Sequence, residues 1–189
     1  MQKRLCVFCG SSTGVRPAYR HAAISVGEEL ARREIGLVYG AGNIGLMGIM
    51  ADAALAQGGE VIGVIPERLM AREIAHQGLT DLRVVRTMHE RKAMMAELSM
   101  GFLALPGGFG TFEEFCEVLT WSQLGIHKKP CGLLNVAGYY DPLLQLFDRA
   151  VEEGFVRPAN RGLVLADTEI SRLVDALLNY SSEHAAVHR

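Results

Sequence analysis

The chain has 189 residues, of which 49% are hydrophobic and 21% charged, a composition that fits a globular fold and excludes a disordered chain or a fibrous repeat. Lys plus Arg total 19 against 21 for Asp plus Glu, a net charge of -2, so no bulk field favours nucleic acid or an anionic membrane surface. Any anion site must therefore be local, and with apolar runs well short of the ~18 residues of a membrane span the expected location is cytoplasmic.

In chain order, apolar strand-like runs fall at 5–9, 37–39, 61–65, 82–85, 102–105, 131–136 and 163–166. They are nearly continuous in Val, Leu and Ile, as strands buried on both faces should be. Between them, helical stretches are expected at 18–33, 46–57, 67–76, 91–98, 112–124, 142–153 and 170–178. This alternation predicts an α/β fold, a Rossmann-like doubly wound sheet of about seven mostly parallel strands with helices on both faces. The length predicts one domain over residues 1–180, with a polar C-terminal tail at 181–189. Ligands of such sheets bind at the carboxyl ends of the strands, which makes the strand-to-helix loops the place to search.

The first run ends in Cys6-Val7-Phe8-Cys9, a CxxC without a second pair to complete a zinc site. In a strand these two side chains point to opposite faces, so buried small apolar roles are expected. Ser11 and Ser12 follow as a polar loop, suited to touching a nucleotide or simply to solvent. No GxSxG elbow is present, the six histidines show no metal spacing, and no metal or cofactor is expected.

After the second run, Gly40-Ala41-Gly42-Asn43-Ile44-Gly45 is a formal GxGxxG between a strand and a helix. The next strand ends Ile65-Pro66 without the acidic residue that NAD recognition uses, which leaves a mononucleotide-like ligand or a structural glycine turn. Gly42 and Asn43 are candidate contacts. Ahead of the fifth run, His89-Glu90-Arg91-Lys92 places two cations near a helix start, where the macrodipole disfavours them. A bound anion or a solvated surface pair would each account for them.

The fifth run leads into Pro106-Gly107-Gly108-Phe109-Gly110-Thr111-Phe112-Glu113-Glu114. Glycines that free successive N–H groups at a helix N-terminus make an anion cradle, and without a following Gly-Lys-Ser/Thr it is not a Walker loop. Thr111-x-x-Glu114 also reads as a capping box, which would explain both residues structurally. On a helical wheel, Phe112, Phe115, Cys116 and Leu119 form an expected core face, opposite Glu114, Glu117 and an exposed Trp121 suited to a dimer interface.

The stretch from Pro106 to Glu114 resembles the PGGxGTxxE motif of the LONELY GUY (LOG) family, the cytokinin riboside 5′-monophosphate phosphoribohydrolases. Cys6 to Ser12, Gly45 to Gly48, Met88 to Lys92 and Thr120 to His127 are similar to further family segments, in the same order, so the likeness runs from about Leu5 to Leu178. Ala41 stands where the family usually has a glycine.

The resemblance implies hydrolysis of the N-glycosidic bond of N6-modified adenosine 5′-monophosphates, with AMP as a further substrate, releasing free base and ribose 5-phosphate. It implies Arg91 and Glu114 as catalytic residues. Substrate contacts are implied for Glu73, Arg91, Lys92, the run Gly108, Phe109, Gly110, Thr111, Phe112, Glu113 and Glu114, and for Thr120. The implied assembly is a homodimer with sites near its interface. An older lysine decarboxylase label of the family finds no convincing pyridoxal-phosphate lysine among Lys3, Lys92, Lys128 and Lys129. The alternative is a non-catalytic nucleotide or molybdenum-cofactor carrier of the same fold.

Overall fold

The computed structural model describes residues 3–70 and 75–180. Seven strands appear in it: β1 (Arg4–Phe8), β2 (Gly36–Tyr39), β3 (Val61–Pro66), β4 (Asp81–Val85), β5 (Gly101–Ala104), β6 (Cys131–Leu134) and β7 (Val164–Asp167). The helices are α1 (Pro17–Arg32), α2 (Gly45–Ala56), α3 (Met88–Leu98), α4 (Phe109–Gln123), α5 (Asp141–Glu152), the short α6 (Pro158–Arg161) and α7 (Ile170–Leu178). Every strand and six of the seven expected helices are present among the described residues, within three residues at each end. The exception is 67–76, where a 3-10 turn at Glu67–Leu69 is followed by residues outside the described part. The expected tail, 181–189, also lies outside it.

All strand pairs are parallel, in the order β4-β3-β2-β1-β5-β6-β7. The chain winds outward from β1 to one edge, then returns to lay β5 against the other side of β1. The order therefore reverses between β1 and β5, the switch point at which such sheets place a ligand crevice outside the carboxyl ends of their strands.

Strand periodicity splits the core in two. Leu5, Val7 and Cys9 join Leu37, Tyr39 and Leu103 under α1, α2 and α7. Cys6 and Phe8 join Val38, Phe102 and Leu133 under α3 and α4, where Met95, Phe115 and Val118 close the layer. Cys6 and Cys9 thus lie on opposite faces, each buried and unbridged, as the strand reading requires. Burial pushes both thiols upward, with the Glu114 carboxylate adding to the effect, so they remain neutral packing groups.

Two expectations fail for reasons of context. β4 was expected to be buried on both faces, but it is an edge strand whose Leu82 and Val84 are exposed. In α4 the buried positions are Thr111, Phe115, Val118 and Ser122, a face rotated about 80° from the expected one at 100° per residue. Trp121 consequently lies half-buried against the α3–α4 core rather than exposed. The rotation carries Glu114 toward the carboxyl ends of the strands, whereas hydropathy alone favours burying the Phe112 and Leu119 stripe.

Candidate active site

The loops after β1 and β5 are bound to each other where the strand order reverses. The Gly10 N–H donates to the Pro106 carbonyl (3.1 Å), and the Gly10 carbonyl accepts from the Leu46 N–H at the start of α2 (3.0 Å). Gly45, with φ +64, lies directly on the Ser11 backbone; a Cβ there would come within 2.2 Å of the Ser11 carbonyl carbon. These contacts bring three strand-end loops around one cavity of about 300 Å³.

The cavity is walled by the N-terminal turn of α4, from Gly108 to Thr111 with Glu113 and Glu114, by Arg91 and Met88 of α3, by Met47 of α2, and by Cys9, Gly10 and Ser11. Gly108 occupies the N-cap of α4, so the cap residue itself brings no side chain to that first turn. Thr111 and Glu114 therefore lie inside the helix, and the capping-box reading of this pair does not hold. A side-chain cap is made instead at α3: the N-cap Thr87 accepts from the Glu90 N–H (3.1 Å), and the Glu90 carboxylate reaches back to accept from the Arg86 N–H (2.8 Å), one residue before the cap. The first-turn N–H groups and the dipole of α4 lie at the cavity that this turn lines. Among the described residues, a Cβ on Gly108 or Gly110 would meet no atom within 4 Å beyond its own turn of the helix.

Arg91 is 5% exposed, and its Nη2 donates to the Gly40 carbonyl (3.0 Å). A Cβ on Gly40 would fall 1.9 Å from that nitrogen, so the first glycine of the Gly-Ala-Gly loop is the seat of the guanidinium. Its neighbour Ala41 takes φ +64, a left-handed conformation costing roughly 1 kcal/mol for a residue with a Cβ, and its carbonyl accepts from the His76 N–H (3.0 Å). The departure from glycine at Ala41 is accommodated within the left-handed turn.

Lys92, next to Arg91, points elsewhere. Its ammonium pairs with Glu113 (2.6 Å) and Glu117 (2.8 Å), tying α3 to α4. Burial opposes its charge, but the two carboxylates prevail and hold the ammonium above its usual range. Neither Lys92 nor any other lysine among the described residues lines the cavity, and a Schiff-base lysine needs a depressed pKa rather than a raised one. The residues present do not fit pyridoxal phosphate.

Of the other residues singled out in the sequence, Gly108, Phe109, Gly110 and Thr111 line the cavity with Glu113 and Glu114, while Phe112 packs beside Tyr139. Ser12 lines an adjoining cavity of about 200 Å³ that shares Gly108. Gly42 is buried in an antiparallel bridge to Ala75, and Asn43 is exposed; neither reaches the cavity. Thr120 is exposed on the outer side of α4, its hydroxyl donating to the Cys116 carbonyl (2.7 Å). Glu73 lies outside the described residues. Sequence reasoning missed Met47 and Met88, whose apolar side chains carry no chemical signature, and the contribution of Tyr139 and Tyr140 after β6, which adjacency to β5 would have suggested.

A doubly wound parallel sheet with a glycine-rich helix N-terminus, a buried arginine and a carboxylate around its switch-point crevice defines a Rossmann-like protein with a site for a small anionic ligand. A family model described as "Possible lysine decarboxylase" matches residues 47–177. A cytokinin riboside 5′-monophosphate phosphoribohydrolase of Arabidopsis thaliana is 52% identical over 185 residues, covering 98% of this chain and 87% of that protein. A probable enzyme of the same name from Oryza sativa subsp. japonica is also 52% identical over 185 residues, covering 98% and 76%. The chain belongs to this family, the LOG family. Among solved structures, the molybdenum cofactor carrier protein of Chlamydomonas reinhardtii is similar with a TM-score of 0.73 and 21% identity over 95% of this chain and 100% of that one, a likeness of fold.

Proposed function

We propose that the protein hydrolyses the N-glycosidic bond of cytokinin riboside 5′-monophosphates, and of AMP, to free base and ribose 5-phosphate. The observation that carries this reading is the meeting of Glu114, Arg91 and the open N-terminus of α4 in one cavity, in a chain about half identical to relatives named for that activity. The Gly108 to Thr111 turn receives the phosphate through N–H groups and the helix dipole. Cleavage passes through an oxocarbenium-like ribose, and the Glu114 carboxylate stabilises that charge and orients the water whose oxygen bonds to C1′. The C1′–N bond breaks with its electron pair going to the base, which takes up a proton as it leaves. Arg91 is the one cation among the described lining residues. It would offset the charge of a phosphate held in the same cavity as the Glu114 carboxylate.

The carrier alternative rests on a fold likeness at 21% identity and has no comparable support from the site. We further place the protein in the cytoplasm as a homodimer. No helix among the described residues is long and apolar enough to cross a membrane. Phe109, Leu124 and Ile126, exposed at the two ends of α4, are apolar surface that a second copy would cover. In such an assembly the exposed Thr120 serves the partner's site rather than its own.

The test is chromatography of products after incubation with AMP and with N6-isopentenyl-AMP, using wild type and Glu114→Gln. Release of base and ribose 5-phosphate by wild type, abolished in Glu114→Gln while nucleotide binding and thermal stability persist, is the expected result. Base release by Glu114→Gln at the wild-type rate would refute the assigned role. A folded wild type that cleaves neither nucleotide would refute the activity.

A further inference from the structure

An anion cradle needs its N–H groups facing the ligand and its carbonyls turned away, because a C=O dipole aimed at a phosphate repels it. Three consecutive carbonyls at the end of β5 are each held by a different donor. The Tyr140 hydroxyl donates to the Leu105 carbonyl (2.6 Å), the Gly10 N–H donates to the Pro106 carbonyl (3.1 Å), and the Tyr139 hydroxyl donates to the Gly107 carbonyl. The peptide unit that begins with the Gly107 carbonyl continues into the N–H of Gly108, the N-cap of α4, so the Tyr139 bond fixes the peptide plane that opens the cradle.

The segment after β6 is shaped to deliver these two rings. Ala137 has φ +51, and the Asn135 side chain accepts from the Tyr140 N–H (2.7 Å) while donating to Asp141 (2.6 Å). Edge-on contacts to Tyr19 (5.7 Å) and Tyr140 (5.1 Å), with Phe112 stacked at 6.4 Å, hold the Tyr139 ring from three sides. Burial keeps its phenol above the usual range, with Tyr19 adding to this, so the hydroxyl stays protonated and able to donate.

We propose that Tyr139 is a positioning residue of the anion site, orienting the Gly107–Gly108 peptide so that the N-terminus of α4 receives the substrate phosphate. The inference rests on the phosphoribohydrolase reading for its substrate, but the orientation itself is read through binding. Loss of one such hydrogen bond in Tyr139→Phe, which keeps the ring, is expected to raise the Kd for ribose 5-phosphate and the KM for AMP about five- to tenfold. Because the phosphate is held alike in ground and transition states, kcat should stay within about twofold of wild type.

The experiment is calorimetric titration with ribose 5-phosphate and steady-state kinetics with AMP, on wild type, Tyr139→Phe and Tyr139→Leu, with melting temperatures in parallel. A packing role alone predicts that Tyr139→Phe equals wild type in Kd and KM while Tyr139→Leu loses stability, and that pattern overturns the proposal. Wild type that binds ribose 5-phosphate without cleaving AMP removes the enzymatic reading but leaves the positioning role to be judged on Kd. Wild type that binds no ribose 5-phosphate overturns it.

Discussion

Gly40→Ala separates the geometry of Arg91 from the stability of the fold. Gly40 has no left-handed φ, so alanine is compatible with its backbone, and the new methyl would stand 1.9 Å from Arg91 Nη2 and 3.1 Å from its Cζ, with the Met47 sulfur at 3.5 Å. The clash falls on the tip of a flexible side chain, which swings away and gives up its 3.0 Å bond to the Gly40 carbonyl. A hydrogen bond to a charged group contributes roughly 1.5–3 kcal/mol, so kcat/KM for base release should fall about 10- to 150-fold. Melting temperature, measured in parallel, should fall by roughly 3–12 °C on a scale of about 2–4 °C per kcal/mol, with the protein still folded at the assay temperature. Arg91→Lys should lose activity comparably, since an ammonium keeps the charge but not the fork that spans Gly40 and the cavity. Full kcat/KM in a normally folded Gly40→Ala protein would refute the view that the Gly40 carbonyl seats the guanidinium.

Two stability predictions follow from groups outside the cavity. Thr87→Ala removes the N-cap of α3 and should cost about 1 kcal/mol, a drop of roughly 2–4 °C in Tm by calorimetry; an unchanged Tm would contradict the cap. His127 accepts from the Lys129 N–H at Nδ1 (3.1 Å), which places its proton on Nε2 for donation to the Val118 carbonyl (2.9 Å), and burial lowers its pKa below the usual 6.5. The unfolded chain then binds the proton first, so stability should decline as pH falls from about 6.5 toward the depressed folded value. Carboxylates such as Asp167, held low by Arg172, act only in more acidic solution. Chemical denaturation across pH 5–7.5 should show a shallower slope in His127→Gln, and identical slopes would refute the assignment.

Much of the architecture was legible because the strands of a parallel sheet leave continuous apolar runs; all seven runs emerged as strands, although the edge strands β4 and β7 are not buried on both faces. The Pro106 to Glu114 stretch was legible as well, since glycines at a helix start have few other physical reasons to cluster. What the linear pattern could not carry was assignment between equivalent local options. Thr87-x-x-Glu90 and Thr111-x-x-Glu114 fit the same capping template, and the start of α4 at Phe109, two residues before Thr111, decides between them. Arg91 and Lys92 are adjacent cations, yet a step of 100° around α3 puts one in the cavity and the other between α3 and α4. The exposure of β4 follows from its place at the sheet edge, which its own composition does not encode.

The sequence by itself therefore determined the element types, the parallel sheet and the chemistry available at the glycine loop, because periodicity and backbone freedom are local properties. Only the tertiary structure decided that Gly40 carries Arg91, that Tyr139 and Tyr140 hold the loop after β5, and that Glu114 faces the cavity. Those relations join residues 35 to 51 positions apart in two cases and depend on which strands are neighbours, a quantity fixed by the crossover that places β5 beside β1.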